Sequence, residues 1–213
     1  MTDILNAVLV LVLVLNLFAL GTSRLAAVIR IVSFQGALLG IVPLLAHEHV
    51  GLPAILAAAV AVILKGFVIP SIMMRALRDA NIKREVEPLV GFMPSIILGA
   101  AATAFALVLT GGLTPSAHEA ASLIIPTSIA TVLVGFILLT TRYKAISQVV
   151  GYLVLENGIF IFGVLLVEAI PLVVEMGVLL DLFVGIFVIS IITNHINQAF
   201  ASLDTRRLDA LKE

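Results

Sequence analysis

Three ionisable residues interrupt stretches of sequence that are otherwise apolar. Lys65 lies within AVAVILKGFVIP, Glu156 within GYLVLENGIFIFG, and Asp181 within VLLDLFVGIFVI. A single charged side chain at the centre of a lipid bilayer costs about 2.5–3.5 kcal/mol on insertion scales. Such groups therefore face the interior of a helix bundle, pair with an opposite charge, or take up their neutral form.

Two interpretations of these residues compete. In the first they are proton-relay groups, because burial disfavours the charged form of each group while a neighbouring opposite charge favours it. Protonation then responds to small movements of the helices. In the second, Lys65 pairs with a carboxylate and only pins helices together, although a buried ion pair seldom stabilises more than an apolar replacement does. The first is favoured, because ionisable groups inside membrane segments are functional candidates by default.

Polar residues close to Glu156 support a relay. Gln148 and Tyr152 precede it at intervals of four residues, so a helix places all three in one stripe. Asn157 follows Glu156 directly. Asp181 shares a helical face with two glycines, one turn before it and one turn after it, which let another helix approach the carboxylate closely.

A proline interrupts the segment that carries Lys65. Pro70 has no N–H to donate to the carbonyl of Gly66, so a kink and a free carbonyl are expected beside the lysine. The preceding apolar segment has a comparable weakening, with Gln35 followed by two glycines and a proline. Gln35 is therefore a candidate supporting polar group.

The elements that must position these residues are membrane helices. The chain has 213 residues, of which 62% are hydrophobic and 12% charged, whereas a soluble domain has about 45–50% and about 25%. Crossing the hydrocarbon core takes roughly 20 mostly apolar residues. Turn and charge signals separate seven such windows, which predict helices near 3–20, 25–46, 52–77, 89–111, 119–141, 145–168 and 171–198. The predicted fold class is an all-α integral membrane bundle of about seven transmembrane helices.

Basic residues predict the orientation of this bundle. Arginines and lysines follow the odd-numbered spans, whereas the connections after the even-numbered spans carry none. Because basic loops stay in the cytoplasm, we expect the N-terminus outside and the C-terminus inside. The chain then divides into a four-helix membrane segment (1–111), a three-helix membrane segment (119–198) and a cytoplasmic tail (199–213).

The composition excludes several kinds of site. The chain has no cysteine, so it offers no thiolate for an iron–sulfur cluster or a thiolate metal site. No cofactor motif is visible, so we expect no haem, flavin or cluster in this chain. The H-x-H of His47 and His49 lacks a third clear ligand, so we predict no metal site there. A net charge of -1 gives no footprint for a nucleic-acid partner.

Three stretches of the chain resemble hydrogenase-4 component E: GYLVLENGIFIFG, EMGVLLDLFVGIFVISIITNHI and SLDTRRLDALK. Gln35, Lys65 and the basic connection after the third span fit the same family, so the resemblance covers essentially the whole chain. The last three spans are also similar to the K subunit of bacterial complex I, in which two consecutive helices carry mid-membrane glutamates. Glu156 matches the first of these positions, and Asp181, one methylene shorter, stands at the second.

The resemblance implies a membrane-arm subunit of a group 4 NiFe-hydrogenase or formate hydrogenlyase-type complex, in a bacterial or archaeal cytoplasmic membrane. Glu156, Asp181 and Lys65 would then be links in a row of charged groups that moves protons or sodium ions, coupled to electron transfer. The implied partners are antiporter-like subunits, other membrane-arm subunits, and the NiFe-hydrogenase and iron–sulfur subunits of a peripheral arm. Two alternatives stay open: a subunit of a multisubunit cation/proton antiporter, and a purely structural bridge.

Overall fold

Helices form every regular element of the computed structural model, which describes residues 2–46, 52–79, 88–111 and 123–164. The helices are α1 (Thr2–Gly21), α2 (Leu25–Ala46), α3 (Leu52–Ile63), a π-helical segment (Leu64–Val68), α4 (Ile69–Asp79), α5 (Phe92–Gly111), α6 (Ile124–Thr141) and α7 (Ala145–Val164). The described residues contain no β-strand.

Six helices are long and apolar enough to cross a membrane, and they coincide with the first six predicted spans. The third of them is composite, because α3, the π-helical segment and α4 follow one another without a break. The predicted seventh span, the tail, Asp181 and the histidine-containing connection after α2 lie outside the described residues. The count of seven helices and the orientation therefore stay predictions.

Four helices form the inside of the bundle. α1 packs against α2 and α6, and α7 packs against α2 and α6, and Ile69, Met73 and Leu77 of α4 complete the larger buried core cluster. α5 packs outside them against α1 and α6, and the composite helix packs outside them against α2. Helices from the two predicted membrane segments, 1–111 and 119–198, therefore share one interior.

Glycines bring α6 and α7 into the most extensive contact of the bundle. A Cβ atom added at Gly135 of α6 would lie 2.5 Å from the backbone nitrogen of Leu155. A Cβ atom added at Gly158 of α7 would lie 2.6 Å from the backbone nitrogen of Val132. Small residues let membrane helices approach until their backbones touch. The close packing of α6 against α7 fixes the position of Glu156 and its neighbours along the bundle axis.

One end of the bundle collects the basic residues. α1, α4 and α6 finish there, and α2, α5 and α7 begin there. Apart from Lys65, the arginines and lysines of the described ranges lie at or near it: Arg24, Arg30, Arg75, Arg78, Arg142 and Lys144. We call it the basic end. This one-sided distribution agrees with the alternation of charge in the sequence from which the orientation is predicted.

Arg142 differs from the loop cation that the sequence suggests, because it is buried and 3% exposed. Its guanidinium donates to the carbonyl of Leu20 at 2.8 Å and to that of Val90 at 3.4 Å. The same group lies 4.6 Å from the centre of the Phe92 ring. Arg142 thus ties the end of α1 to the segment that leads into α5, in addition to adding positive charge at this end.

Candidate functional site

A buried ion pair joins the composite third helix to α7. Lys65 Nζ lies 3.1 Å from Glu156 Oε1, and the two side chains are 6% and 5% exposed. Lys65 belongs to the π-helical segment, and Glu156 stands near the middle of α7. The sequence predicts both as charges within spans, and the structure brings them together within hydrogen-bonding distance. A proton can pass directly between two groups at this separation.

Two further side chains of α7 surround the ammonium group. Asn157 Oδ1 accepts a hydrogen bond from Lys65 Nζ at 3.3 Å. The ring of Phe160 lies with its centroid 4.9 Å from the same nitrogen, within the range of a cation–π contact. Asn157 is a predicted supporting residue, whereas Phe160 is not. One turn of α7 therefore supplies a carboxylate, an amide oxygen and an aromatic face to one lysine.

The backbone beside Lys65 is irregular, and α2 makes room for it. The Gly66 carbonyl, which Pro70 cannot satisfy, accepts a hydrogen bond from the Ser33 hydroxyl at 2.8 Å. A Cβ atom added at Gly36 would lie 2.8 Å from Lys65 Cβ. The free carbonyl predicted from Pro70 is thus used by α2, and the irregularity takes the form of a π-helical segment. Such segments often occur at functional positions in helices.

A second polar cluster connects α1, α2 and α6. Gln35 Nε2 donates to Asn16 Oδ1 at 2.9 Å, and Asn16 Nδ2 donates to Thr131 Oγ1 at 2.9 Å. The Thr131 hydroxyl donates to the carbonyl of Thr127 at 2.7 Å. Asn16, Gln35 and Thr131 are each no more than 1% exposed. Gln35 is a predicted supporting residue, and the structure places it in this neutral chain, which we call the amide chain.

The predicted stripe on α7 changes character along its length. Gln148 is exposed, and its amide donates to the Arg142 carbonyl at 3.2 Å. Tyr152 is half-buried and packs against the apolar core near the basic end. Glu156 is buried. The three residues lie on one helix at intervals of four. The Gln148 amide, however, points to the Arg142 carbonyl at the basic end and not toward the Glu156 carboxylate.

One oxygen of the carboxylate stays open. Glu156 Oε2 is buried and accepts no hydrogen bond from the described residues. The Asn6 Oδ1 and Thr127 Oγ1 atoms are also buried without a hydrogen-bond partner among the described residues. Buried polar atoms nearly always have a partner, so each exception calls for an explanation. A carboxylate with one oxygen on a lysine and the other oxygen open can gain or lose a proton without breaking a second hydrogen bond.

Sequence reasoning overlooks several polar residues that the structure brings into the interior. Asn16 interrupts the apolar run LVLVLVLNLFAL of α1. Lys65 and Glu156 are selected because they are charged residues within apolar segments, and the same criterion applied to amide side chains would have found Asn16. Ser33 and Thr131 carry no comparable signal, because hydroxyl groups are common in membrane helices, where they bond to the backbone. Within the described ranges, no group of three histidine, cysteine or acidic side chains could hold a metal ion.

Comparison with known proteins finds a relative in Mycobacterium tuberculosis. The chain is 32% identical over 191 residues to a protein of that organism (strain ATCC 25618 / H37Rv) named "Uncharacterized protein Rv0085". The aligned region covers 89% of this chain and 87% of the mycobacterial protein. No protein-family model matches the chain, and no solved structure matches it.

Proposed function

We propose that this chain, which belongs to the same family as the mycobacterial protein Rv0085, is an ion-translocating subunit in the membrane arm of a hydrogenase complex. The observation that carries the translocation role is the Lys65–Glu156 pair at 3.1 Å, buried in the middle of apolar helices. Moving two charges out of water costs several kcal/mol per ion in real proteins. A proton-handling role accounts for that cost better than a static contact does.

The resemblance to hydrogenase-4 component E supports the choice of complex. On this proposal the complex is of the group 4 NiFe-hydrogenase or formate hydrogenlyase type, and it lies in a bacterial or archaeal cytoplasmic membrane. Antiporter-like and other membrane-arm subunits flank the chain, and the hydrogenase and iron–sulfur subunits form the peripheral arm. The chain itself supplies no redox centre, because electron transfer belongs to those peripheral subunits.

Each residue has a distinct role in the proposed relay. Glu156 takes up and releases the proton, or exchanges it for a sodium ion. Lys65 sets the charge balance at Glu156, and Asn157 holds the lysine when the carboxylate is neutral. Asp181 is the next carboxylate along the row, a role that rests on its position in the sequence. Gln35, Gln148 and Tyr152 support the polar interior without exchanging protons.

Two other functions compete with this proposal. A subunit of a multisubunit cation/proton antiporter would use such an ion pair without any hydrogenase. Co-purification with a nickel-containing subunit in mild detergent favours the hydrogenase complex, and its absence together with sodium/proton exchange favours the antiporter. A purely structural bridge also contains such a pair, and only substitution of the charged residues distinguishes it from a relay.

The decisive substitution is Glu156→Gln. It keeps the shape and the hydrogen-bonding oxygen beside Lys65 but cannot release a proton. We expect normal abundance of the complex on a native gel, with loss of hydrogenase-linked proton pumping in inverted vesicles. Glu156→Asp keeps a carboxyl group and should retain part of the pumping. Normal pumping with Glu156→Gln would remove this residue from the relay.

A structural bridge predicts the opposite pattern. If the carboxylate only neutralises Lys65, Glu156→Gln leaves an unpaired buried cation, which costs about 3–5 kcal/mol when it stays charged. The complex would then be lost from the native gel. Loss of the complex in Glu156→Gln, followed by its recovery when Lys65→Met removes the second charge, would favour the bridge over the relay.

A further inference from the structure

A groove runs along the outside of the bundle, between α1 and α5. It is lined by Val14, Leu17, Phe18, Gly21, Thr22 and Ile96. Its volume is about 440 Å³, which lies within the range of roughly 300–1,000 Å³ that is usual for ligand-binding clefts. Two cavities inside the bundle have only about 10 Å³ each. The groove is therefore large enough to bind a molecule much larger than water.

The close contact of α1 with α5 forms the floor of the groove. A Cβ atom added at Gly21 would lie 2.8 Å from Ile96 Cδ1, so the two helices meet there with little side chain between them. Val14 and Phe18 are 40% and 60% exposed, so the groove opens away from the buried core. The Thr22 hydroxyl donates to the Phe18 carbonyl at 2.7 Å. Because this hydroxyl proton is already used, the groove offers a mainly apolar surface to a ligand.

The groove follows the axis of α1 and ends at the basic end. Val14 and Thr22 are eight residues apart, which corresponds to about 12 Å along a helix. On the proposed membrane location, one leaflet of the hydrocarbon core is about 15 Å thick. The groove therefore has the direction and nearly the length of an acyl chain in the leaflet next to the basic end.

Two arginines bring positive charge to the basic end of the groove. Arg24 is exposed and follows Thr22 by two residues, so their Cα atoms are at most about 7 Å apart. Within the described ranges its guanidinium makes no hydrogen bond or ion pair, and such a group binds phosphate through paired N–H donors. Arg142 adds charge from inside the bundle, where it holds the carbonyl of Leu20, the residue before Gly21. Basic sites between membrane helices on the cytoplasmic side bind the head groups of anionic lipids.

We propose that this groove binds one anionic phospholipid, with an acyl chain between α1 and α5 and the phosphate group at Arg24. The apolar lining accounts for the chain, and the arginine at the end of the groove accounts for the negative head group. The inference rests on the membrane location in the proposed function. It depends neither on the relay nor on the choice of complex.

Native mass spectrometry of the full chain in mild detergent tests the head group. With phosphatidylglycerol and phosphatidylcholine added in equal amounts, we expect one retained lipid, mostly phosphatidylglycerol. Arg24→Gln should lower the ratio of the two bound lipids about fivefold, the effect expected of one arginine near an anionic membrane surface. Arg30→Gln is the matched control, because Arg30 is exposed on α2, which does not line the groove. Equal retention of both lipids by the unsubstituted chain, or an equal change in both variants, would overturn the proposal.

A second pair of variants tests the groove itself. Val10 and Val14 lie one turn apart on α1 and are 49% and 40% exposed, but only Val14 lines the groove. Val14→Phe fills part of the groove and should reduce the amount of retained lipid, whereas Val10→Phe should leave it unchanged. Equal retention in the two variants would overturn the assignment to this groove.

A neighbouring protein helix is the other possible occupant. A photoreactive side chain in place of Val14 should cross-link to lipid in native membranes, and a cross-link to another polypeptide would overturn the proposal. These measurements do not involve pumping. Normal pumping in Glu156→Gln would therefore refute the relay without affecting the lipid site, and failure of lipid retention would leave the relay unaffected.

Discussion

The ion pair of Lys65 and Glu156 and the amide chain of Asn16 and Gln35 are both buried in apolar helices, but they use their polar groups differently. In the amide chain the Gln35 and Asn16 amides donate to acceptors on neighbouring helices, and the Thr131 hydroxyl ends the chain on a backbone carbonyl of its own helix. The ion pair leaves Glu156 Oε2 without a hydrogen bond among the described residues. It also carries two charges, which cost far more to bury than amides.

This difference separates two tasks. Neutral amides and hydroxyls are sufficient to fix the positions of helices relative to one another. The amide chain joins α1, α2 and α6 in this way. The ion pair brings charge and an open acceptor to the same interior, which pinning does not require. The comparison therefore supports a structural role for the amide chain and a proton-handling role for the ion pair.

Lys65→Met removes the positive half of the ion pair. Glu156 then has no described donor on either oxygen, and an unpaired buried charge costs about 3–5 kcal/mol. On the relay proposal Glu156→Gln causes a smaller loss of stability, because Lys65 keeps its hydrogen bond to Asn157 and its contact with the Phe160 ring. We expect the largest loss of stability of any variant considered, measured by unfolding with SDS in mixed micelles and circular dichroism.

Acidification provides the internal control for Lys65→Met. The loss of stability in Lys65→Met requires an ionised Glu156 carboxylate. It should therefore become smaller as the pH is lowered and Glu156 takes up a proton. The double variant with Glu156→Gln should recover most of the stability at neutral pH. A loss of stability that is small, or independent of pH, would show that Lys65 does not neutralise an ionised Glu156 in the native protein.

An intermediate effect is expected from Asn16→Leu. This change leaves Gln35 and Thr131 without their partner, at a cost of roughly 1–2 kcal/mol. Asn6→Leu is its matched control on the same helix, because Asn6 Oδ1 accepts no hydrogen bond from the part of the chain that the structure describes. The same SDS titration should show destabilisation by Asn16→Leu alone, while pumping per assembled complex stays normal. Reduced pumping at normal stability would move the amide chain into the relay.

The smallest effect is expected from Ser33→Ala. The Gly66 carbonyl loses its hydroxyl donor, and hydrogen bonds between membrane helices are worth about 0.6 kcal/mol on average. Ser71→Ala is the control, because the Ser71 hydroxyl is exposed and donates to the Val68 carbonyl within the composite helix. We expect a small shift of the unfolding midpoint for Ser33→Ala and none for Ser71→Ala. Equal shifts would mean that α2 does not hold the π-helical segment through Ser33.

Hydropathy alone predicts much of the fold, because the membrane imposes one length and one composition on every span. Each of the six described spans matches one window in the sequence, with ends that differ by at most six residues. Lys65 and Glu156 stand out for the same reason, since a charge in an apolar run is rare. Their pairing cannot be read from the sequence, because 92 residues separate Lys65 from Asn157 and only packing brings the helices together.

Other features depend on tertiary contacts that leave no local pattern. Ser33 and Phe160 are ordinary residues of a membrane helix, and their roles follow from facing Gly66 and Lys65 respectively. Arg142 looks like any cytoplasmic loop cation until the carbonyls of Leu20 and Val90 reach it. Pro70 predicts an irregularity beside Lys65, but it does not predict a π-helical segment whose Gly66 carbonyl bonds to Ser33 of α2.

The distance along the chain between the two halves of the ion pair also sets an order of events during synthesis. At roughly 5–20 residues per second, α7 leaves the ribosome several seconds or more after the helix that carries Lys65. On the proposed membrane location, the insertion machinery would accept the helix that carries Lys65 before Glu156 has been synthesised. The pair would then close late in biogenesis, after α7 has packed against α2 and α6.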